Sequence, residues 1–218
     1  MAGGGLQAVL FDMDGLLIDS EPMWLEVETE VMAWLGGEWG PQHQQKLLGG
    51  SVTYAAHYML SLVEATVAPQ EVERRLVDGM AERLAGSVPL MPGAKELLAE
   101  VRAAGVATAL VSSSERRLVE AALAGIGREH FDVTVAGDEV ARRKPDPEPY
   151  LTAMARLGVS PGRCVVLEDS PTGLAAAEAA GCVTLAVPGV VPVPPAPGRT
   201  VVESLRNVDL QMLNGLLP

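Results

Sequence analysis

Residues 6–22, LQAVLFDMDGLLIDSEP, run from an apolar stretch into two aspartates spaced by one residue, Asp12 and Asp14, with Gly15 next in line. Asp19 and Glu21 follow within the same short segment. Carboxylates repel one another, so this density is costly unless a cation or a reaction needs it. Other chemistry-bearing groups also sit just beyond apolar runs. Ser112, Ser113 and Ser114 follow VATALV, Lys144 lies in ARRKPDPEP after DVTVAG, and Glu168, Asp169 and Ser170 close CVVLEDS. Acids, a hydroxyl and a lysine drawn from separate elements suit a hard cation and a phosphoryl group. Mg²⁺ takes a few carboxylate oxygens together with water and substrate phosphate. A serine with flanking backbone N–H groups and a lysine ammonium would cradle the phosphoryl oxygens. The cation and the lysine would also offset the clustered negative charge.

These groups need a scaffold that brings strand ends together. The runs AVLF (Ala8–Phe11), VATALVS (106–112), DVTVAG (132–137), CVVLE (Cys164–Glu168) and VTLAV (183–187) read as strands, most of them apolar on both faces. Between them lie GAKELLAEVRAAG, with Ala94, Leu97, Leu98 and Val101 at helical spacing, and ERRLVEAALAGIG, EPYLTAMARLG and TGLAAAEAAG. Several of these end in glycine, as helices commonly do. Strands alternating with helices of this length predict a doubly wound α/β, Rossmann-like parallel sheet. From Asp19 to Gly86 the alternation stops and only helical patterning remains, for example Val72, Leu76 and Met80 four apart. An all-helical insertion after the first strand is therefore expected over residues 17–87, with residues 1–16 and 88–218 forming the core. Placed over the carboxyl end of the sheet, it would act as a lid, hinged at 15–19 and 86–92. The proline-rich segment 188–198 is expected to be a surface loop, and TVVESL and VDLQMLNGLL a last strand and helix.

Bulk properties narrow the partners. The 218 residues carry a formal net charge of −12, which argues against nucleic acid or an anionic membrane. No apolar run approaches the ~20 residues a membrane span needs. The opening MAGGGLQ lacks the basic and apolar regions of a signal peptide, so a cytoplasmic location is expected. Cys164 and Cys182 lack metal-ligand spacing and read as reduced, buried thiols. No coiled-coil seam or long apolar edge demands a partner copy, and a monomer is expected.

Taken in order, DMDGLLIDSE, the serine after the second strand, KPDP and LEDSPTG resemble the signature motifs of the haloacid dehalogenase-like hydrolase superfamily. More narrowly, the chain resembles the β-phosphoglucomutase-like phosphatases, which carry a helical cap after the first motif. The resemblance implies a Mg²⁺-dependent phosphatase acting on a small phosphorylated metabolite, a sugar phosphate in the first instance. It makes Asp12 the nucleophile that forms an aspartyl-phosphate, and Asp14 the general acid and then base, its backbone carbonyl on the metal. Ser112 would hydrogen-bond the phosphoryl group, helped by the Met13 and Ser113 amides. Lys144 would neutralise the phosphate and Asp12, Asp169 would hold Mg²⁺, and Glu168 would be a direct ligand or stand just behind it. Gly15 would let the chain turn away into the cap linker.

Rival readings are weaker. An EF-hand is excluded because the glycine falls fourth rather than sixth and a strand, not a helix, precedes it. Ser114 reads as a cap of the following helix, and Arg142 and Arg143 as solvated charge. His43, His57 and His130 have no partner at a recognisable spacing and read as surface or core residues. Trp24, Trp34 and Trp39 are expected to pack the cap, with Trp24 near enough to the linker to touch substrate. The alternative activity is a sugar-phosphate mutase, for which an early cap histidine is expected; SEPMWLE has tryptophan there, and LLGGSVTYAAHY lacks the expected basic residue. A catalytically silent binding protein would have lost its nucleophile. A Schiff-base mechanism would rest on Lys46, whose position does not suit it.

Overall fold

The computed structural model describes residues 5–47 and 50–218. Its centre is a six-stranded parallel sheet in the order β3-β2-β1-β4-β5-β6. The strands are β1 (Ala8–Phe11), β2 (Ala107–Val111), β3 (Val133–Val135), β4 (Cys164–Glu168), β5 (Val183–Ala186) and β6 (Arg199–Val201). Every residue of β1 is buried because both faces are covered. Val9 and Phe11 point into a core with Leu110, Val165 and Leu167. Ala8 and Leu10 point the other way, into a core with Val111, Val166 and Tyr150. The period-2 geometry of a strand divides one apolar run between two cores.

Helices cover both faces. Helix α5 (Ala94–Ala103) buries Ala94, Leu97, Leu98 and Val101, the positions its spacing predicts. On the other side α7 (Glu148–Leu157) contributes Tyr150, Ala153 and Met154, and α8 (Pro171–Ala179) contributes Ala176 and Ala177. Helix α6 (Arg116–Ile126) follows β2, and α9 (Leu210–Gly215) ends the chain. The third strand is shorter than DVTVAG suggests. Asp132 is drawn out of it, accepting hydrogen bonds from the Thr108 amide and Arg102, and Gly137–Glu139 forms a 3₁₀ turn.

Between β1 and α5 the described chain contains only helices: α1 (Glu21–Trp34), α2 (Pro41–Gln44), α3 (Val52–Leu60) and α4 (Pro69–Gly86). Val72, Leu76 and Met80 of α4 are fully buried in this insertion. The two connecting strands of chain run side by side. Asp19 donates its amide to the Pro89 carbonyl at 2.8 Å, Met91 donates to Leu17 at 2.8 Å, and Ile18 and Leu90 form an antiparallel bridge. Trp39 packs as expected, stacked on His43 and edge-on to Tyr58. Trp34 does not. It is 41% exposed, and its ring lies under the Arg75 guanidinium on the surface. No helix among the described residues is long and apolar enough to cross a membrane. Residues 1–4 of the leader, and Leu48 and Gly49 of LLGGS, lie outside the described residues.

Candidate active site

β1 is flanked by β2 and β4, so the chain crosses to opposite sides of it, and a crevice opens at its carboxyl end. Asp12 leaves β1 there, its amide bonded to the Leu167 carbonyl at 3.1 Å, and Ser112 leaves β2 with its amide on Val135 at 3.0 Å. Asp169 follows the last residue of β4. Parallel pairing in register therefore places acids and hydroxyl side by side, as the strand-end reading requires.

Lys144 ties the site together. Its ammonium donates to Asp12 Oδ1 at 2.6 Å, Glu168 Oε1 at 2.7 Å and the Val111 carbonyl at 2.8 Å, while its side chain is 3% exposed. Burial pulls a lysine pKa down, but the charges of Asp12 and Glu168 outweigh it here and hold the ammonium protonated well above its usual range. Glu168 is fully buried; Oε1 also accepts from the Tyr150 hydroxyl at 2.5 Å, and Oε2 from Ser170 Oγ at 3.1 Å. Both Glu168 oxygens are thus engaged by protein donors.

Asp14 occupies a different niche. Ser114 Oγ donates to its Oδ2 at 2.8 Å, and Ser112 Oγ stands 3.4 Å from the same oxygen. Ser114 is therefore not the helix cap the sequence suggests. The N-cap of α6 is Glu115, whose side chain makes no capping bond, and Ser114 turns inward because Asp14 offers a buried acceptor. Burial raises the Asp14 pKa above the usual carboxylate value, against the hydroxyls that lower it. The Met13 and Ser113 amides make no hydrogen bond within the described residues, although the Met13 side chain is buried.

Asp12, Glu168 and Asp169 each offer an oxygen within 4.8 Å of the others. Burial, then the Glu168 charge, raises Asp12 well above the carboxylate range, and the same causes push Asp169 up to about 8. Lys144 alone leaves this buried cluster with excess negative charge. Hard oxygen donors with an uncompensated charge fit a divalent cation such as Mg²⁺.

Two glycines shape the cluster. Gly15 has φ +80°, and a Cβ there would stand 2.2 Å from Asp169 Oδ2. At Gly173, capped by Ser170 Oγ, a Cβ would meet Glu168 Oε1 at 1.8 Å. Gly15→Ala is expected to cost about 1–2 kcal/mol in stability for the left-handed backbone. By displacing Asp169 it should also lower turnover about 10²-fold; thermal unfolding and steady-state rates on one preparation check both.

A cavity of about 430 Å³ opens over Asp12, Asp14, Ser112, Ser113, Lys144 and Asp169. Its far wall comes from the insertion, with Trp24, Glu28, Gln44 and Val52, and its rim includes Gly189 to Val191 of the proline-rich segment. The segment is a loop as expected, but it also borders the site.

The model of the haloacid dehalogenase-like hydrolases matches residues 6–181. The chain belongs to that family. Among relatives of this hydrolase, hexitol phosphatase B of Escherichia coli (strain K12) is 34% identical over 187 residues, covering 83% of each chain. Fructose-1-phosphate phosphatase YqaB of the same strain is 34% identical over 176 residues, 79% of this chain and 92% of that one. CbbY from Rhodobacter sphaeroides, solved in complex with phosphate, superposes with a TM-score of 0.82 at 31% identity, covering 93% of this chain and 96% of that one.

Some residues of the hydrolase site escape sequence reasoning. Tyr150 sits at an ordinary apolar position of a helix, and nothing in EPYLTAM marks its hydroxyl as a Glu168 partner. Arg143, set aside as solvated charge, lines the cavity while bonding the Gly137 carbonyl.

Proposed function

We propose that the protein is a Mg²⁺-dependent phosphomonoesterase that hydrolyses a small sugar or polyol phosphate through an aspartyl-phosphate on Asp12. The observation that carries this reading is the pairing of a lysine-bound carboxylate, Asp12, with a second, hydroxyl-bound carboxyl, Asp14, at one strand end beneath a cavity. The names of the relatives, two of them phosphatases of phosphorylated hexose derivatives, support the same substrate class.

Asp12 attacks phosphorus, forming a carboxylate O–P bond as the bond from phosphorus to the leaving oxygen breaks. Asp14, as the general acid, gives its proton to that oxygen. It then takes a proton from water as the water oxygen attacks phosphorus; the Asp12 O–P bond breaks and phosphate leaves. Ser112 Oγ and the unpaired Met13 and Ser113 amides would hold the phosphoryl oxygens, and Lys144 offsets charge on Asp12 and the phosphoryl group. Asp12, Asp169 and the Asp14 carbonyl would hold Mg²⁺, with Glu168 engaged behind them; the ion would supply charge neutralisation and orientation of the phosphoryl group. The helical insertion would serve as the cap, excluding bulk water during both steps.

Among the described residues no lining residue of the cavity is a histidine, the residue that the mutase alternative expects. The test is phosphate release from a panel of sugar and polyol phosphates with Mg²⁺ and with EDTA. Release that depends on Mg²⁺ is expected, falling at least ~10²-fold in EDTA. Release unaffected by EDTA, or none from any ester, would overturn the reading.

A further inference from the structure

The insertion wall of the cavity is acidic. Asp19, Glu21 and Glu28 line it, and the cations among the lining residues, Arg143 and Lys144, both come from the core. No lysine or arginine of the insertion is among the lining residues, and each has a contact elsewhere. Lys46 lies over the Tyr58 ring at 5.4 Å, Arg74 and Arg75 pair with Glu71, and Arg83 pairs with Glu26 and Glu30.

Glu28 is the distinctive member of this wall. It projects from the buried face of α1 and is 5% exposed, yet it lines the cavity. Trp39 Nε1 donates to its Oε2 at 3.0 Å, and Oε1 has no donor among the described residues. The carboxyl is fixed through one oxygen, and the other is not among the buried atoms without a partner; it is reached from the cavity, where a ligand hydroxyl can take the place of water. Burial, with Glu21 nearby, pushes its pKa up to about 7 against the Trp39 bond, so both its ionised and neutral forms can meet a hydroxyl near neutrality.

On the phosphatase reading above, we infer that the leaving group of the substrate carries hydroxyls and no second phosphate, and that Glu28 is the residue that reads it. A hydroxyl satisfies Oε1. A second phosphate would face carboxylates with no insertion lysine or arginine among the lining residues, a repulsive element that discriminates against sugar bisphosphates. Trp24, Leu47, Val52 and Ala55 supply apolar wall for the carbon backbone of such a substrate.

The experiment compares kcat/KM for matched esters, fructose 1-phosphate against fructose 1,6-bisphosphate and glucose 6-phosphate against glucose 1,6-bisphosphate. Para-nitrophenyl phosphate reports phosphatase activity independently, and esters that do not turn over are scored as competitive inhibitors of its hydrolysis. The monophosphate is expected to be preferred by about 10- to 100-fold in at least one pair. Glu28→Gln, which keeps the volume and an acceptor for Trp39, should shrink that ratio several-fold, and the ratio is insensitive to a general loss of activity. Bisphosphates that match or exceed monophosphates, monophosphates that neither turn over nor compete, or a ratio unmoved by Glu28→Gln would each overturn the inference. If para-nitrophenyl phosphate is hydrolysed in those cases, the phosphatase reading stands. If no ester is hydrolysed at all, both fall together.

Discussion

Asp12→Asn is expected to reduce Mg²⁺-dependent phosphate release by about 10⁴-fold or more, because an amide oxygen cannot form the covalent intermediate. The fold should survive. Asn keeps the shape, and Lys144 retains Glu168 and the Val111 carbonyl as partners. The Asp12 pKa is raised by burial and by Glu168, so the folded state binds its proton more tightly than the unfolded chain. Stability linked to that proton is present at low pH and lost as pH rises, so removing the charge should leave stability at pH 8 unchanged or higher by about 1 kcal/mol. Thermal unfolding of both proteins in EDTA, beside initial rates with Mg²⁺, separates the effects. A variant equally inactive but grossly unfolded would make Asp12 a structural residue; one with wild-type turnover would remove it as the nucleophile.

Lys144→Met should have the largest effect on stability. The ammonium is the only cation the described residues place on Asp12 and Glu168. Its removal leaves buried carboxylates facing one another, a change that costs about 3–5 kcal/mol when one partner of a buried pair is lost. The cost depends on pH with a definite sign. Asp12 is shifted upward and Asp169 lies at about 8, so acid protonates the cluster and relieves the repulsion. Urea unfolding in EDTA is expected to show a deficit at pH 8 that shrinks by at least about half at pH 5.5. Turnover should fall at least ~10³-fold at either pH, since the positive charge on the phosphoryl group is also gone. A pH-independent deficit would mean that packing of the lysine stem, not its charge, holds the site.

Much of this arrangement is legible in the chain because chemistry and periodicity coincide. An apolar run buried on both faces must be an inner strand, and polar residues at its end must emerge at one edge of the sheet; that logic reaches Asp12, Ser112 and Asp169 without coordinates. The helical insertion is legible for a similar reason, since Val72, Leu76 and Met80 can share one face only of a helix. What escapes are roles decided by packing between distant segments. Ser114 has the residue type and place of a helix cap, and only the position of Asp14 turns it inward. Tyr150 looks like core until Glu168 is set against its hydroxyl. Glu28 sits on a helix rich in glutamate, where exposure is the ordinary expectation; the Trp39 indole and the fold of α1 over the cavity bury it instead. Trp34 errs the other way, an aromatic assigned to the interior that rests outside under Arg75.

The most direct measurement is to mix the enzyme and Mg²⁺ with its best ester, quench in acid within one turnover, and determine the mass of the peptide containing Asp12. The expected result is a peptide heavier by one phosphoryl group, with the label removed by a short chase and absent from Asp12→Asn. Phosphate released with no such adduct at any quench time, or an adduct on another residue, would contradict nucleophilic catalysis by Asp12.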